Sequence, residues 1–554
     1  MDENFTAETA PKIRHARSLP GRPLEERLVP WTSVGALLRE RARQTPDANY
    51  LTFYEEDGAP VPSAALSYGR LYDDARRVAA RLTRDLGLSP GDRIATLTGN
   101  DPRTVLLYFG AWLAGLTVVP LNVGEDDERL AFVLENARVR VAFAPTAQAS
   151  RLAACPVVNV DVEDILADAP LDPLPDVPVD TEALIVYTSG TTGAPKGVVL
   201  EHYNLLVDAH AIAAWHRFTP DDRAQLVLPL HHVNGTVVTL MTPLYSGGSV
   251  VLNRRFSARH FWRVLAAERC TWTSVVPTIL ALLCEHGADA LRPHDLSRFR
   301  HFVCGAGPLT TELAARFDET FGLRVVHGYG LSETTCYSCF LPIDLDPAAY
   351  RHWMTECGFP SIGIPLPENE MAIHDENGCP LPPDTRGEIV IRGHTVMRAY
   401  YRRPDANETT FAHGWFRSGD EGFYRLGPDN HPHFFITGRL KELIIRGGVN
   451  YSPFDIDEVL CAVPGVRAAM AVGFEHNVYG EEIGAYVQPD PDASLTEDAV
   501  LSFCAERLPW AKCPKVVLFG DDFPVTSTGK YQRNKLRDRF AAWKNTDFRR
   551  RPSS

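Results

Sequence analysis

Tyr187-Thr188-Ser189-Gly190-Thr191-Thr192-Gly193-Ala194-Pro195-Lys196-Gly197-Val198 is the stretch on which the fold turns. It follows an apolar run, Ala183-Leu184-Ile185-Val186, that reads as a buried strand. Its glycines let the backbone turn tightly and approach a ligand. The hydroxyls of Thr188, Ser189, Thr191 and Thr192, with the free N–H groups between them, can surround an anion. Lys196 adds a mobile point charge, and a phosphate chain is the natural guest. The spacing is not that of the Walker loop, which ends G-K-[ST] and opens a helix. Here Pro195 precedes the lysine and Gly197-Val198-Val199-Leu200 follows it, so the loop leads back into an extended segment. A plain surface Gly/Thr turn is the bland alternative, disfavoured by strand-like flanks on both sides.

With 554 residues the chain is too long for one core, so two or more domains are expected. A net charge of −14 argues against nucleic acid as the main partner. The 11 cysteines are scattered, which suits reduced thiols better than a disulfide framework. Cys336-Tyr337-Ser338-Cys339 is a lone CxxC with no second pair at zinc spacing, so packing is preferred over metal. Residues 1–28 lack the apolar core of a signal peptide. Residues 104–124 are uncharged and long enough to span a bilayer. Gly110, Gly115 and Pro120 break them, and they divide better into a buried helix over 105–114 and a strand over 116–120. A cytoplasmic protein without a membrane span is expected, as monomer or homodimer.

Only eight of the 56 basic residues are lysines: Lys12, Lys196, Lys441, Lys512, Lys515, Lys530, Lys535 and Lys544. Arginine is a planar fork and lysine a compact charge on a flexible stem. Where an arginine-biased chain keeps lysine, a point charge can be required; surface solubility covers Lys12, Lys535 and Lys544.

Along the chain, a helix is expected over 32–46 with Ser33 as cap, and another over 68–86. Helices then alternate with strands to about residue 160, which predicts a parallel sheet covered by helices. A strand over 225–228 ends in Pro229-Leu230-His231-His232-Val233-Asn234-Gly235, and strand ends are where open α/β sheets bind ligands. A second strand ends in Cys304-Gly305-Ala306-Gly307-Pro308, whose small residues leave room for a flat ligand, although a tight turn before a helix reads the same way. A third leads to His327-Gly328-Tyr329-Gly330-Leu331-Ser332-Glu333. Tyr329 can offer its ring for stacking, and Glu333 is a hard oxygen ligand suited to Mg²⁺. Asp420, in Gly414-Trp415-Phe416-Arg417-Ser418-Gly419-Asp420, can accept from both hydroxyls of a ribose or merely close a turn. Gly447-Gly448 reads as a hairpin turn. Pro524-Val525-Thr526-Ser527-Thr528-Gly529-Lys530 closes the series.

In order and spacing these motifs resemble the adenylate-forming superfamily of acyl-CoA synthetases, luciferases and peptide-synthetase adenylation domains, over about residues 32–540. The resemblance implies an α/β fold: a large N-terminal domain of parallel and mixed sheets covered by helices, a β-rich subdomain, and a small mobile α+β C-terminal domain. It divides the chain into an N-terminal extension (1–31), an AMP-binding adenylation domain (32–440) and a mobile domain (441–554) hinged at Lys441. It implies ATP, Mg²⁺ and CoA as cofactors and co-substrate, with a small carboxylic acid as partner.

Carried over residue by residue, Thr188, Ser189, Gly190, Thr191, Thr192, Gly193 and Lys196 hold phosphates. Gly305, Ala306 and Gly307 resemble the family's adenine-flanking turn, and Gly328, Tyr329, Gly330 and Ser332 bind ATP. Asp420 and Arg439 hold the ribose, with Arg439 also reaching phosphate. Glu333 and Thr188 serve the metal. Lys530 is the catalytic lysine, with Glu333, His232 and Thr188 beside it. His232, Asn234, Cys304, Gly330 and Cys336 line the acyl pocket, which suggests an apolar or aryl acid. Gly447 and Gly448 line the CoA tunnel.

Ser332 stands for the family's usual Thr in Y-G-x-T-E and keeps the hydroxyl. Arg398-Ala399 departs from its V-M-x-G-Y pattern without an assigned consequence. No acidic residue lies between Arg223 and Arg254, where amino-acid-activating relatives place an Asp, so an α-amino acid is an unfavoured substrate. The implied reaction is formation of an acyl-adenylate with release of pyrophosphate, then transfer to CoA. Transfer to an amine or another nucleophile, and a nucleotide-binding protein without activity, remain as alternatives.

Overall fold

The structure, a computed structural model, describes residues 3–548 apart from 57, 162, 189–194 and 526–530. The described residues form four sheets. One carries nine strands, in order Ile364–Pro365, Cys339–Phe340, Val325–Tyr329, His301–Cys304, Trp272–Val275, Arg223–Leu226, Ser249–Asn253, Asn49–Tyr54 and Ala64–Ser67. Its inner strands are parallel. A second, of seven strands, runs Ala399–Tyr400, Lys196–Glu201, Glu182–Thr188, Thr117–Pro120, Arg93–Thr96, Val141–Ala144 and Val157–Asn159. Helices cover both, as the alternating pattern predicts.

Local chemistry sets the elements. Ser33 accepts from Ala36 N and caps the helix Val34–Gln44. The uncharged run of 104–124 resolves into the buried helix Pro102–Leu113, capped by Asp101, and the strand Thr117–Pro120. Gly115, at φ +70, makes the turn between them. Trp112, fully buried in that helix, donates its Nε1–H to Ala183 O at 2.8 Å and so ties the helix to the strand entering the Gly/Thr loop.

The segment ahead of residue 32, set apart by sequence as an extension, packs on the large domain. Its helix Thr9–Ala16 leads to Arg17, which forms a buried ion pair with Glu201. Asn4 accepts from Arg402 N at 2.8 Å. An antiparallel sheet of Asn369–His374, Gly387–Gly393, Phe416–Leu426 and Pro432–Arg439 forms the β-rich part. Its last strand runs into the short turn Leu440–Glu442.

Beyond that turn lies a separate sheet. Val449–Tyr451, Ile444–Arg446, Gly480–Pro489 and Val466–His476 pair in that order, and Val516–Phe519 joins Gly480–Pro489. It packs its own core, with Ile444, Ile456, Leu460, Ala471, Ile483 and Val500 buried together. Among the described residues no helix is long and apolar enough to cross a membrane.

Candidate active site

The Gly/Thr loop joins two antiparallel strands, Glu182–Thr188 and Lys196–Glu201, with Thr188 opposite Lys196. Ser189, Gly190, Thr191, Thr192 and Gly193 lie outside the described residues, as does Lys530. What is described begins at the loop's exit. Lys196 Nζ sits 4.2 Å from the ring centroid of Tyr400, a cation–π distance. The Tyr400 hydroxyl donates to Glu333 Oε1 at 2.8 Å. Burial, then the nearby Glu333 carboxylate, pushes the Tyr400 phenol well above its usual range, so it stays a donor. Burial pulls the Lys196 ammonium down, Glu333 pulls it back up, and Lys441 and Arg403 add repulsion.

Tyr400 holds this place because Ala399–Tyr400 is an edge strand on Lys196–Glu201, with Tyr400 opposite Val198. Sequence alone gives Tyr400 no role; the paired aromatics Tyr400-Tyr401 directly after Arg398-Ala399 are the available signal. The Arg398 departure acquires a consequence as well. Its N–H donates to Val199 O at 3.0 Å, and its Nη1 lies 3.9 Å from Glu201 Oε1. It therefore adds a second guanidinium near the carboxylate that Arg17 holds.

A second cluster forms where Phe416–Leu426 pairs with Pro432–Arg439, which puts Asp420 opposite Arg439. Tyr329, at the end of its strand, donates to Asp420 Oδ2 at 2.6 Å. Arg439 Nε lies 3.1 Å from Oδ1. Asp420 is only 1% exposed, yet Oδ1 accepts no hydrogen bond among the described residues. A buried carboxylate oxygen in that state is an acceptor awaiting a donor. Asp420 in turn holds the Arg439 guanidinium above its usual range.

A third group gathers at the strand ends of the nine-stranded sheet. His231 and His232 have ring centroids 4.4 Å apart, and burial pushes His231 down to about 4. Asn234 is buried, and its Oδ1 accepts from Ser274 Oγ at 2.7 Å. Cys304 and Cys336 are buried cysteines outside any disulfide, and both lie near the Tyr337 phenol. Between them stands Tyr337, which the sequence reading did not single out: its Oη is 3.5 Å from Asn234 Nδ2. Gly305 and Gly330 are required by close approach. A Cβ on Gly305 would lie 2.7 Å from Tyr337 Oη, and one on Gly330 would lie 1.7 Å from Cys336 O. Ala306 takes φ +64 between Gly305 and Gly307.

Gly447 and Gly448 make the expected hairpin turn, at φ +60 and +81. They are exposed rather than gathered with the three groups. The small domain is docked by other contacts. Glu458 accepts from Thr311 N and Oγ1 at 3.1 and 2.7 Å, and Arg386 Nη2 donates to Asp455 Oδ1 at 2.7 Å. Among the described residues no group of three or more His, Cys, Asp or Glu is placed to hold a metal.

Residues 38–401 match the family model described as AMP-binding enzyme, and residues 455–530 match the AMP-binding enzyme C-terminal domain. The chain belongs to the AMP-binding enzyme family. This AMP-binding enzyme is 36% identical over 524 residues to the sulfoacetate–CoA ligase of Cupriavidus necator, covering 91% of this chain and 97% of that protein. It is 32% identical over 527 residues to the oxalate–CoA ligase of Arabidopsis thaliana, covering 92% and 98%. Among solved structures, ATP-bound MatB from Rhodopseudomonas palustris is similar at a TM-score of 0.81, with 28% identity and coverage of 92% and 99%.

Proposed function

We propose that this enzyme is an AMP-forming acid–thiol ligase, which activates a carboxylic acid with ATP and passes the acyl group to CoA. The observation that carries the reading is Asp420 Oδ1, buried and ion-paired with Arg439 but accepting no hydrogen bond among the described residues, beside the Tyr329 hydroxyl and suited to a ribose hydroxyl donor. Lys196 places a positive charge at the mouth of the Gly/Thr loop, where the terminal phosphates of ATP are bound. The acid binds near His232 and Asn234. Its carboxylate attacks the α-phosphorus, the new O–P bond forms, and the P–O bond to pyrophosphate breaks. Lys530 neutralises charge developing there, an electrostatic contribution of ~3–4 kcal/mol. A thiolate of CoA then attacks the acyl carbon, and AMP leaves with the electrons of the C–O bond.

Glu333 fits Mg²⁺: one oxygen is engaged by Tyr400, and a carboxylate keeps lone pairs for a hard cation. Thr188 completes the proposed metal side. Mg²⁺ held there would screen phosphate charge. Gly447 and Gly448 face solvent in the present docking, so thioester formation requires the small domain to turn about Lys441.

Support comes from relatives named as CoA ligases and from the structure of Bacillus subtilis o-succinylbenzoate CoA synthetase in complex with ATP and magnesium ion, at 27% identity and a TM-score of 0.78. The test is ATP-dependent pyrophosphate release across an acid panel, followed by mass spectrometry of products formed with CoA or with amines. Acid-dependent pyrophosphate and a thioester are expected. Amide products alone would refute CoA as acceptor, and no acid-dependent pyrophosphate would refute adenylation.

A further inference from the structure

We infer that Tyr337 is the floor of the acid pocket, and that the acid is a short monocarboxylate without charge at its far end. This rests on the ligase reading above. The backbone after Glu333 is forced into a reversal, with Thr335 at φ +67 and the Cys336 carbonyl turned against Gly330. That reversal delivers the Tyr337 phenol into the space bounded by Asn234, Ser274 and Gly305. Tyr337 is 2% exposed. In front, its hydroxyl stands at Asn234 Nδ2 and against the α-carbon side of Gly305. Behind, its ring lies on Phe340 at 4.3 Å between centroids, so it cannot withdraw without displacing a fully buried side chain. Asn234 is itself fixed by Ser274 at 2.7 Å. An acid whose carboxylate lies near His232 and whose tail runs toward Asn234 meets a phenol, where an aryl or alkyl tail needs open volume. A long alkyl or an aryl tail does not fit that floor, which narrows the apolar or aryl acid suggested by sequence to short members.

The charge of the tail follows from the lining. The segments 229–236, 273–279, 304–308 and 327–338 contain no Lys or Arg. His231 is neutral near pH 7, because burial holds it at about 4. Those segments offer a sulfonate or second carboxylate no guanidinium or ammonium, and a buried anion without such a partner is strongly disfavoured. A short neutral tail, bare or carrying one hydroxyl for the Asn234 amide, meets no such cost. This separates the chain from the substrates in the names of its sulfoacetate and oxalate relatives.

The experiment uses the full chain. Pyrophosphate release is measured with acetate, propionate, butyrate, lactate, octanoate, benzoate, malonate and sulfoacetate, for the wild type, Tyr337→Phe and Tyr337→Val. Wild-type kcat/KM for the best short monocarboxylate should exceed that for octanoate, benzoate, malonate and sulfoacetate by ~100-fold or more. Tyr337→Phe should keep the length preference. Tyr337→Val should gain ~10-fold or more on octanoate or benzoate and lose on the short acids. A wild type that prefers benzoate, octanoate or either dianion overturns the inference while leaving the ligase reading intact. So does a folded Tyr337→Val, checked by its melting temperature, with an unchanged profile. If Tyr337→Val does not fold, the wild-type and Tyr337→Phe profiles decide. No pyrophosphate from any acid would instead overturn the ligase reading, and the inference with it.

Discussion

Docking of the small domain should be sensitive to pH through Glu458, and Glu458→Gln should abolish that sensitivity. Glu458 sits on the helix Pro453–Cys461 and reaches to Thr311, the first residue of Thr311–Phe321, with its Oε2 accepting at 2.7 and 3.1 Å. Burial pushes its carboxyl up to about 7; the Thr311 donors oppose this, and the facing carboxylates Asp457 and Glu312 add to it. Undocked, the group returns toward the ordinary glutamate value of 4.5. Docking therefore takes up a proton between those values and weakens as the pH rises through that interval. The full shift corresponds to ~3 kcal/mol; because Glu458 is only half-buried, about 1–2 kcal/mol is a fairer figure. That is a roughly tenfold loss of docking as the pH rises from about 4.5 to about 7. The assay is resonance energy transfer between dyes on the two domains, read against pH. Gly447 and Gly448 face solvent in the docked arrangement, so the ratio of thioester formation to pyrophosphate release should rise over the same interval. Glu458→Gln should stay docked at pH 8. An identical pH slope in Glu458→Gln and wild type would refute this account.

Tyr400→Phe removes the hydrogen bond to buried Glu333, a loss of about 1–2 kcal/mol, and should slow pyrophosphate release ~10-fold while raising the Mg²⁺ needed for half-maximal rate; an unchanged Mg²⁺ titration would count against it. Asp420→Asn should raise KM for ATP ~10-fold or more with a smaller change in kcat, because it weakens Tyr329 and Arg439 as well as the ribose acceptor. Lys441→Pro should impair thioester formation while sparing adenylation, and equal loss of both half-reactions in rapid-quench measurements would sink the hinge role. Arg17→Ala leaves the Glu201 carboxylate buried without its closest partner and should cost about 3–5 kcal/mol in denaturant unfolding; a change below about 1 kcal/mol would show that Arg398 holds Glu201 by itself.

What the sequence made legible was local. Ser33 ahead of an amphipathic run, the Gly and Pro breaks within 104–124, and a Gly/Thr loop between two apolar runs each carry their own geometry within a few residues. The groups that complete the site are joined across long stretches of chain. Tyr400 meets Glu333 and Lys196 only because a two-residue strand adds to the edge of a sheet begun far upstream. Tyr337 lies inside a CxxC, and nothing in that spacing says that the phenol reaches Asn234 and Gly305. Glu458 looks like any solvated helix carboxylate until Thr311 is placed opposite it. The Arg398 departure shows the same limit from the other side. Its reason lies at Glu201, a carboxylate buried where the loop's exit strand runs into the helix His202–His216 and already held by Arg17. A second guanidinium there adds positive charge beside a carboxylate that is buried and ion-paired with Arg17. The pattern broken in one strand is therefore answered by a charge placed in another and an arginine from the N-terminal segment, which is why that segment packs on the domain instead of trailing from it.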